Sequence, residues 1–281
     1  MERGKIVRHP SSKLIHLQRM ARQLRIDVVQ SLAEAGSGHL GASLGLADLF
    51  SVLYFSELNH KSDNPDWEDR DRLILSIGHA APIQYAALAR SGYFPVEELL
   101  TLRKLGSRLQ GHPGKHHGLP GLEMSTGSLG QGLSAAVGMA LCGKLDKKDN
   151  RVYCILGDGE CQEGQIWEAM MSAAHYNLDN LTVIVDQNDV QIDGPTENVM
   201  SLRSLGMKAE VNGFEVWNVN GNNIQELLQA FDESENIGAP VFIVANTKMG
   251  KGVKPIEGDY RWHGKAPKKD ELKDFVNYIK G

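Results

Sequence analysis

Four apolar runs separated by helical patterns in the second half of the chain constrain the fold more than any other feature. The runs are RVYCILG (151–157), LTVIVDQN (181–188), FEVWNV (214–219) and APVFIVANT (239–247). The helical patterns are EGQIWEAMMSAAHYN (163–177) and NIQELLQAF (223–231). Strands that are apolar on both faces and alternate with helices form a parallel sheet that helices cover on both sides. We therefore predict an α/β fold with a doubly wound, mostly parallel sheet.

The first half of the chain predicts helices joined by glycine-rich loops. In chain order the elements are an amphipathic helix (12–35) ended by Gly36, an apolar helix in LGLADLFSVLYF (44–55), a short strand in DRLILSIGH (71–79), a helix in PIQYAALARSG (82–92) and a turn and helix in STGSLGQGLSAAVGMALCGKL (125–145). A charged segment from Lys265 onward predicts an exposed terminal helix.

The length of the chain, 281 residues, suits one large α/β domain. No internal repeat, low-complexity tract or interdomain linker is visible in the sequence. We predict a single domain over residues 1–281, with an N-terminal helical segment and a short charged C-terminal tail.

Charge and apolar content exclude several classes of protein. A formal net charge of -5 argues against non-specific binding to nucleic acid or to an anionic membrane surface. No apolar run approaches the roughly 18 residues of a membrane span, and the basic N-terminus lacks the apolar core of a secretory signal. Cys142, Cys154 and Cys161 have neither metal-ligand spacing nor an even count, so we expect a reducing, cytoplasmic location.

Polar side chains follow three of the apolar runs, at the point where each predicted strand ends. They are His79, Asp158 and Asn188. In an open parallel sheet, ligands bind outside the carboxyl ends of the strands. If the three strands are neighbours, these side chains share one rim.

Asp158 and Asn188 have the chemistry of a site for a hard cation. They lie about thirty residues apart, the size of one strand–helix–strand unit. A carboxylate, an amide oxygen and a nearby backbone carbonyl suit Mg²⁺ or Ca²⁺ that also binds phosphate and water. The alternative is structural, with Asp158 capping the following helix and Asn188 in a turn.

Six pieces of sequence, in order along the chain, carry a resemblance to a known family. GDGECQEG (157–164) and QNDVQIDG (187–194), taken together, resemble the thiamine diphosphate-binding signature of the transketolase family. The others are SGHLG, LSIGHAAP, GHP, STGSLGQGLSAAVGMA and WHGKAP. The resemblance runs from about residue 12 to residue 267.

The resemblance implies the residues that bind the cofactor's diphosphate. Asp158, Asn188 and the carbonyl of Val190 would hold Mg²⁺, with Ca²⁺ as an alternative. The amide of Gly159 would donate to a diphosphate oxygen, and a side chain at that position would crowd the phosphate.

The resemblance also assigns roles to four of the ten histidines. His79 and His263 match residues near the diphosphate and the substrate channel, and His39 and His112 match residues that contact sugar oxygens. Ketol transfer requires proton donation to an alkoxide and proton removal from a hydroxyl, which imidazole performs near neutral pH. For a lone histidine in a glycine-rich loop, a purely structural role is the alternative.

Gly127 and Leu129 match positions that contact the cofactor's aminopyrimidine, although an ordinary helix start explains the same glycines. Glu163 and Glu168 match acidic residues at the subunit interface of the family, and solvated glutamates are the alternative. Leu40, Gly114 and Ser128 depart from the family pattern, which leaves the choice of sugar open.

Full-length transketolases continue beyond such a segment with a pyrimidine-binding domain. The resemblance therefore implies the diphosphate-binding subunit of a two-chain transketolase, inactive alone and assembled as α2β2 with a C-terminal subunit that carries the pyrimidine-binding domain. Sugar phosphates are the expected substrates.

Other functions compete with this one. A 2-oxoacid dehydrogenase α subunit, a deoxyxylulose-phosphate synthase and a non-catalytic subunit of the same fold are the alternatives within related classes. A dinucleotide-binding enzyme is disfavoured because no G-x-G-x-x-G follows the first strand.

Overall fold

A parallel sheet organises the residues that the computed structural model describes, 9–235 and 237–281. The strands are β1 (Arg72–Leu75), β2 (Val152–Gly157), β3 (Leu181–Gln187), β4 (Val190–Gln191), β5 (Gly194–Pro195), β6 (Glu215–Asn220) and β7 (Val241–Asn246). β1, β2, β3, β7 and β6 lie side by side in that order and run parallel, whereas β4 and β5 form a short antiparallel hairpin. The predicted parallel sheet is confirmed.

Helices connect and cover these strands. Within the described ranges the α-helices are α1 (Ser11–Ala35), α2 (Leu40–Gly45), α3 (Ala47–Val52), α4 (Ala81–Arg90), α5 (Gly132–Leu145), α6 (Gly164–His175), α7 (Thr196–Met200), α8 (Leu205–Val211), α9 (Ile224–Ser234) and α10 (Leu272–Lys280). None of these helices combines the length and the apolar character that crossing a lipid bilayer requires. The basic segment 1–8, which we interpreted as lacking a secretory signal, lies outside the described residues.

Two predicted helices differ in detail from the observed ones. The apolar helix at 44–55 is interrupted at Leu46, and its last turn widens into a π-helical turn over Leu53–Glu57. The terminal helix α10 is not wholly exposed, because Phe275 and Ile279, four residues apart, are buried as α10 packs against α1. The charge that dominates this segment lies on the outer face of an amphipathic helix.

The core has one layer on each face of the sheet, as the alternation of side chains along β2 illustrates. Tyr153 and Ile155 belong to the cluster that includes side chains of α1 and α9. Cys154 and Leu156 point to the other face and belong to the cluster with side chains of α5 and α6. Helices therefore cover both faces, and the predicted doubly wound arrangement is confirmed.

The strand order determines where the polar strand ends meet. β1, β2 and β3 are direct neighbours with all carboxyl ends at one edge. The loops after them carry His79, Asp158 and Asn188, which the sequence analysis expected to share a rim. All three side chains line one cavity at this edge.

Candidate active site

A cavity of about 350 Å³ lies at the carboxyl ends of β1, β2 and β3. Among the residues predicted for the cofactor and the metal, those that line it are His79, Leu129, Asp158, Gly159, Asn188, Val190 and His263. Ile77, Glu160, Asp186 and Gln191, which the sequence analysis did not single out, also line it. A hydrophobic wall with a few convergent polar groups is typical of a ligand site.

Asp158 both caps a turn and faces this cavity, so its two interpretations are compatible. One carboxylate oxygen accepts a hydrogen bond from the Gly159 amide at 2.7 Å. The other accepts from the Asp189 amide at 2.8 Å and from the Thr196 hydroxyl at 3.2 Å. Asp158 is only 4% exposed, and this burial, together with repulsion from Asp186, raises its pKa to about 7.

Asn188 is held by a residue that the sequence analysis missed. Its side-chain nitrogen donates to Asp186 at 2.7 Å, and its side-chain oxygen accepts from the Val190 amide at 3.0 Å. Asp186 also accepts a hydrogen bond from the hydroxyl of Thr247. Burial raises the pKa of Asp186 to about 6. A carboxylate inside the apolar run LTVIVDQN was the signal that could have revealed it.

The predicted ligands Asp158, Asn188 and the Val190 carbonyl have the composition of a site in which protein and phosphate together bind a metal. Among the described residues, no group of three His, Cys, Asp or Glu side chains could hold a metal ion. One carboxylate, one amide oxygen and one backbone carbonyl leave several positions of a Mg²⁺ shell to phosphate oxygens and water. The residues at this rim therefore fit a cation that arrives together with a diphosphate.

Gly159 leaves room that the protein itself does not use. A Cβ built on Gly159 would lie 3.5 Å from the Gln191 side chain, an ordinary contact, whereas one on Gly157 would lie 2.7 Å from Ile77. The packing of the chain thus requires glycine at 157 but not at 159. The small residue at 159 leaves space for the close approach of a ligand, and its amide donates to the Asp158 carboxylate.

The four predicted histidines come together from four separate loops. Ring centroids of His39 lie 5.0 Å from His79, 6.4 Å from His112 and 5.9 Å from His263, and the rings of His79 and His263 are 5.1 Å apart. The Nδ1 atoms of His39 and His263 are buried and have no hydrogen-bond partner among the described residues. Such unpaired buried atoms fit a ligand that completes their hydrogen bonds.

Burial and mutual repulsion keep these imidazoles neutral. Burial, followed by the nearby histidines, lowers the pKa of His39 to about 4 and that of His79 to about 3. Burial also lowers the pKa of His112 and of His263. A neutral imidazole donates from one ring nitrogen and accepts at the other, which suits hydrogen bonds with both hydroxyl and carbonyl oxygens.

Lowering the pH is expected to destabilise the fold through His79. Its pKa of about 3 lies below the ordinary 6.5, so between these values the unfolded chain binds a proton that the folded chain does not. The contribution to the free energy of unfolding is complete above 6.5 and is lost as the pH falls through that window.

Urea unfolding of the chain and of His79→Gln at about pH 7.5 and about pH 5 tests this expectation. The variant should lose less stability on acidification, since it lacks the titrating group. The buried Asp158 and Asp186, whose shifts have the opposite sign, are present in both proteins. Equal losses in the two proteins would contradict the shift assigned to His79.

Arg103 lies between the loops that carry His39 and His112, and the sequence analysis did not predict it. A Cβ on Gly111 would lie 3.0 Å from its guanidinium carbon, and one on Gly38 would lie 3.5 Å from a guanidinium nitrogen. Its charge lowers the pKa of both neighbouring histidines further, after burial. Arg103 itself adopts the left-handed backbone conformation with φ 60. A non-glycine residue in that conformation is strained, which is common near functional sites.

Gly127 lies beside the histidines, while Leu129 reaches the cavity. Gly127 has φ 144, and a Cβ there would lie 3.2 Å from the ring of His112. The backbone of the glycine-rich turn also touches the end of β1, since a Cβ on Gly78 would lie 2.8 Å from the Gly127 nitrogen. Close contact of this turn with two loops accounts for its glycines without a ligand.

Glu160 connects the glycine-rich turn to the ends of β1 and β2 by hydrogen bonds, and its role was not predicted from the sequence. Its carboxylate accepts hydrogen bonds from the Gly130 amide at 2.8 Å, the Gly157 amide at 3.1 Å and the Ser76 hydroxyl. Glu160 is 2% exposed, and burial raises its pKa. These contacts join the ends of β1 and β2 to the turn that carries Leu129.

Removing the Glu160 carboxylate is expected to destabilise the chain. Glu160→Ala leaves the buried amides of Gly130 and Gly157 without an acceptor, and each unsatisfied buried group costs about 1–3 kcal/mol. Urea unfolding should show that the free energy of unfolding falls by at least about 1 kcal/mol. Glu168→Ala, on an exposed position of α6, is the matched control and should be close to neutral. Equal stability of the two variants would contradict the stabilising role of the Glu160 hydrogen bonds.

Glu163 and Glu168 occupy different environments. Glu163 lines the cavity and lies close to the glycine-rich turn, because a Cβ on Gly130 would be 2.8 Å from the Glu163 Cβ. Glu168 lies on the exposed face of α6. Their predicted role at a subunit interface stays a prediction.

Comparison with known proteins gives one consistent result. Residues 16–278 match the family described as "Transketolase, thiamine diphosphate binding domain". The chain is 42% identical over 254 residues to the 6-deoxy-6-sulfo-D-fructose transketolase subunit SqwG of Clostridium sp. (strain MSTE9), covering 90% of this chain and 92% of that protein. It is 40% identical over 268 residues to human transketolase, covering 95% of this chain but 42% of the human protein.

Solved structures agree with the sequence comparison. Transketolase from Campylobacter jejuni superposes with a TM-score of 0.87 at 34% identity, over 97% of this chain and 43% of that one. Transketolase from Leishmania mexicana superposes with a TM-score of 0.88 at 31% identity, over 94% of this chain and 41% of that one. The chain thus spans about two fifths of the length of these larger proteins.

Proposed function

Because the chain belongs to the transketolase family and matches its thiamine diphosphate-binding domain over residues 16–278, we propose that it is the cofactor-binding subunit of a two-chain transketolase. The reaction is transfer of a two-carbon ketol unit from a ketose phosphate to an aldose phosphate. The observation that carries the proposal is the meeting of Asp158 and Asn188 at adjacent strand ends, beside Gly159 and four clustered histidines.

This geometry supports the proposed cofactor site. Asp158, Asn188 and the carbonyl of Val190 would hold Mg²⁺, or Ca²⁺ in its place, at the rim of the cavity. The Gly159 amide would donate to the diphosphate. Thiamine diphosphate, when bound, supplies a carbon nucleophile for the carbonyl of a ketose.

The four histidines would hydrogen-bond the sugar oxygens at which protons move during the reaction. His39 and His112 would hydrogen-bond the carbonyl and hydroxyl oxygens of the sugar, and His79 and His263 would lie between the sugar and the diphosphate. A neutral imidazole can donate a hydrogen bond to the oxygen of an attacked carbonyl and accept one from the neighbouring hydroxyl when the C–C bond breaks. The lowered pKa values of His39 and His79 keep one ring nitrogen free to accept.

A partner chain with the pyrimidine-binding domain is the second part of the proposal, in an α2β2 assembly. One relative of nearly equal length, 92% of which this chain covers, is itself named a subunit. The surface of α5 supports a partner, because no charged residue occurs from Gly132 to Gly143. Leu145 on α5 is 74% exposed and Met171 on α6 is 57% exposed, an apolar surface suited to an interface.

Reconstitution tests the proposed function. The purified chain with thiamine diphosphate and Mg²⁺ should not turn over xylulose 5-phosphate with an aldose phosphate acceptor, and addition of the partner chain should restore turnover. Turnover by the chain alone would refute the two-chain proposal. Turnover of pyruvate instead of the ketose would favour the 2-oxoacid dehydrogenase alternative, and no activity with any donor would favour a non-catalytic subunit.

A sulfonated sugar is the second candidate substrate. The relative that is 42% identical carries 6-deoxy-6-sulfo-D-fructose in its name. That compound and fructose 6-phosphate differ only in the anionic group at the sixth carbon, so parallel assays with both separate the two donors.

The cellular location is also a proposal. All three cysteines are free thiols, with Cys154 and Cys161 buried and Cys142 exposed. Unpaired cysteines support the reducing environment of the cytoplasm.

A further inference from the structure

Asp186, at the end of β3, holds two donors from different parts of the fold. It is 1% exposed and accepts hydrogen bonds from the hydroxyl of Thr247, just beyond β7, and from the side-chain nitrogen of Asn188 at 2.7 Å. A buried carboxylate is kept only where such partners compensate for its loss of hydration.

The hydrogen bond from Asn188 selects one orientation of its amide group. The nitrogen points to Asp186, and the oxygen lies on the other side, where it accepts from the Val190 amide at 3.0 Å. Rotating the amide by half a turn would place its oxygen against the Asp186 carboxylate, with two acceptors at the distance of a hydrogen bond. Two facing acceptors repel, so Asp186 excludes that orientation.

We propose that Asp186 is a positioning residue that keeps the Asn188 amide oxygen directed at the divalent cation, with Thr247 fixing Asp186 in turn. This inference rests on the proposed function, since it requires the metal at Asp158 and Asn188. Groups that orient metal ligands in this way typically change metal affinity by about 10–100-fold when they are removed.

Two substitutions at position 186 distinguish the effect of orienting the Asn188 amide from the effect of the negative charge of Asp186. Asp186→Leu removes the acceptor, and Asp186→Asn removes the charge but keeps an oxygen that can accept from Asn188. The probe is Mn²⁺ in place of Mg²⁺, with its affinity measured by electron paramagnetic resonance on the full chain assembled with its partner and thiamine diphosphate. No sugar is present, so the readout does not depend on turnover.

We expect the leucine variant to lose about 10–100-fold in Mn²⁺ affinity and the asparagine variant to stay within about threefold of the original. In an Asn188→Ala background, the leucine substitution should add little further loss, because coupled residues are not additive. Asp193→Asn, an exposed carboxylate in the β4–β5 turn, is the control for general charge effects and should bind Mn²⁺ normally.

Equal losses for the leucine and asparagine variants, or an undiminished loss in the Asn188→Ala background, would overturn the inference. If Asp186→Leu does not fold, Asp186→Ala removes the same acceptor without bulk and replaces it in every comparison. Asp158→Ala tests the metal site separately from the positioning role of Asp186. Unchanged Mn²⁺ affinity in that variant would refute the metal site itself, whereas its loss beside normal Asp186 variants would refute only the positioning role.

Discussion

Replacing Asp158 with asparagine is expected to abolish metal-dependent binding of thiamine diphosphate while leaving the chain folded. Asparagine keeps an oxygen for the hydrogen bonds from Asp189 and Thr196, loses the acceptor for the Gly159 amide and removes the charge that a divalent cation requires. Loss of an outer hydrogen-bond partner of a metal ligand already lowers affinity by about 10–100-fold, so loss of a ligand's charge should exceed about 100-fold. Calorimetric titration of the assembled protein with thiamine diphosphate and Mg²⁺ measures this affinity.

The stability of the same variant, relative to the original chain, should rise with pH. The pKa of Asp158 is raised to about 7, so its folded-state contribution to stability is complete below its ordinary value of 3.8 and is lost as the pH rises through 7. Without metal, the stability of Asp158→Asn relative to the original chain should therefore be higher at about pH 8 than at about pH 5, as measured by urea unfolding. A folded variant with unchanged cofactor affinity would contradict the metal assignment, and a relative stability that does not rise with pH would contradict the raised pKa.

Gly159→Ala is expected to lower cofactor affinity without disturbing the fold. The new Cβ would meet only the Gln191 side chain at 3.5 Å, and Gly159 does not have a positive φ. The methyl group would take up space beside the amide that a diphosphate oxygen needs in order to approach it, and the amide donates to Asp158 in the chain alone. Losing a hydrogen bond to a charged group costs about 1.5–3 kcal/mol, which corresponds to roughly a 10–100-fold loss of affinity.

Two further glycines in the same motif provide the controls. A Cβ on Gly157 would lie 2.7 Å from Ile77, so Gly157→Ala should destabilise the chain as well as weaken binding. A Cβ on Gly164 meets nothing within 4 Å, so Gly164→Ala should change neither property. Thermal unfolding and calorimetric titration of the three variants test this order. Unchanged affinity in Gly159→Ala would show that no ligand approaches that amide.

The strands and most helices could be predicted because their signals are local. The runs RVYCILG and LTVIVDQN contain apolar residues on both faces, and β2 and β3 are buried in the middle of the sheet. The helix at 44–55 was predicted less well, because its interruption at Leu46 has no signal in apolar spacing. The terminal helix was misjudged because charge dominates its composition, whereas two buried side chains decide its packing.

The candidate site was predictable to the extent that its residues lie in recognisable motifs. Asp158 and Asn188 are the residue types that bind hard cations, and both follow apolar runs. Glu160 and Arg103 were missed because their importance lies in partners from distant segments, whereas Asp186 had a local signal as a carboxylate within an apolar run. Glu160, for example, accepts hydrogen bonds from Ser76 and Gly130, and no sequence pattern near Glu160 indicates these contacts.

By itself the sequence determined the class of sheet, the strand ends that carry polar groups and the donor types available there, because periodicity and residue chemistry are properties of short segments. Only the tertiary structure decided that β1, β2 and β3 are neighbours, that the rings of His79, His112 and His263 lie 5.0 to 6.4 Å from that of His39, and that Thr247 donates to Asp186. Strand order and side-chain contact arise when distant segments bury their apolar faces together, and this packing is a property of the whole chain.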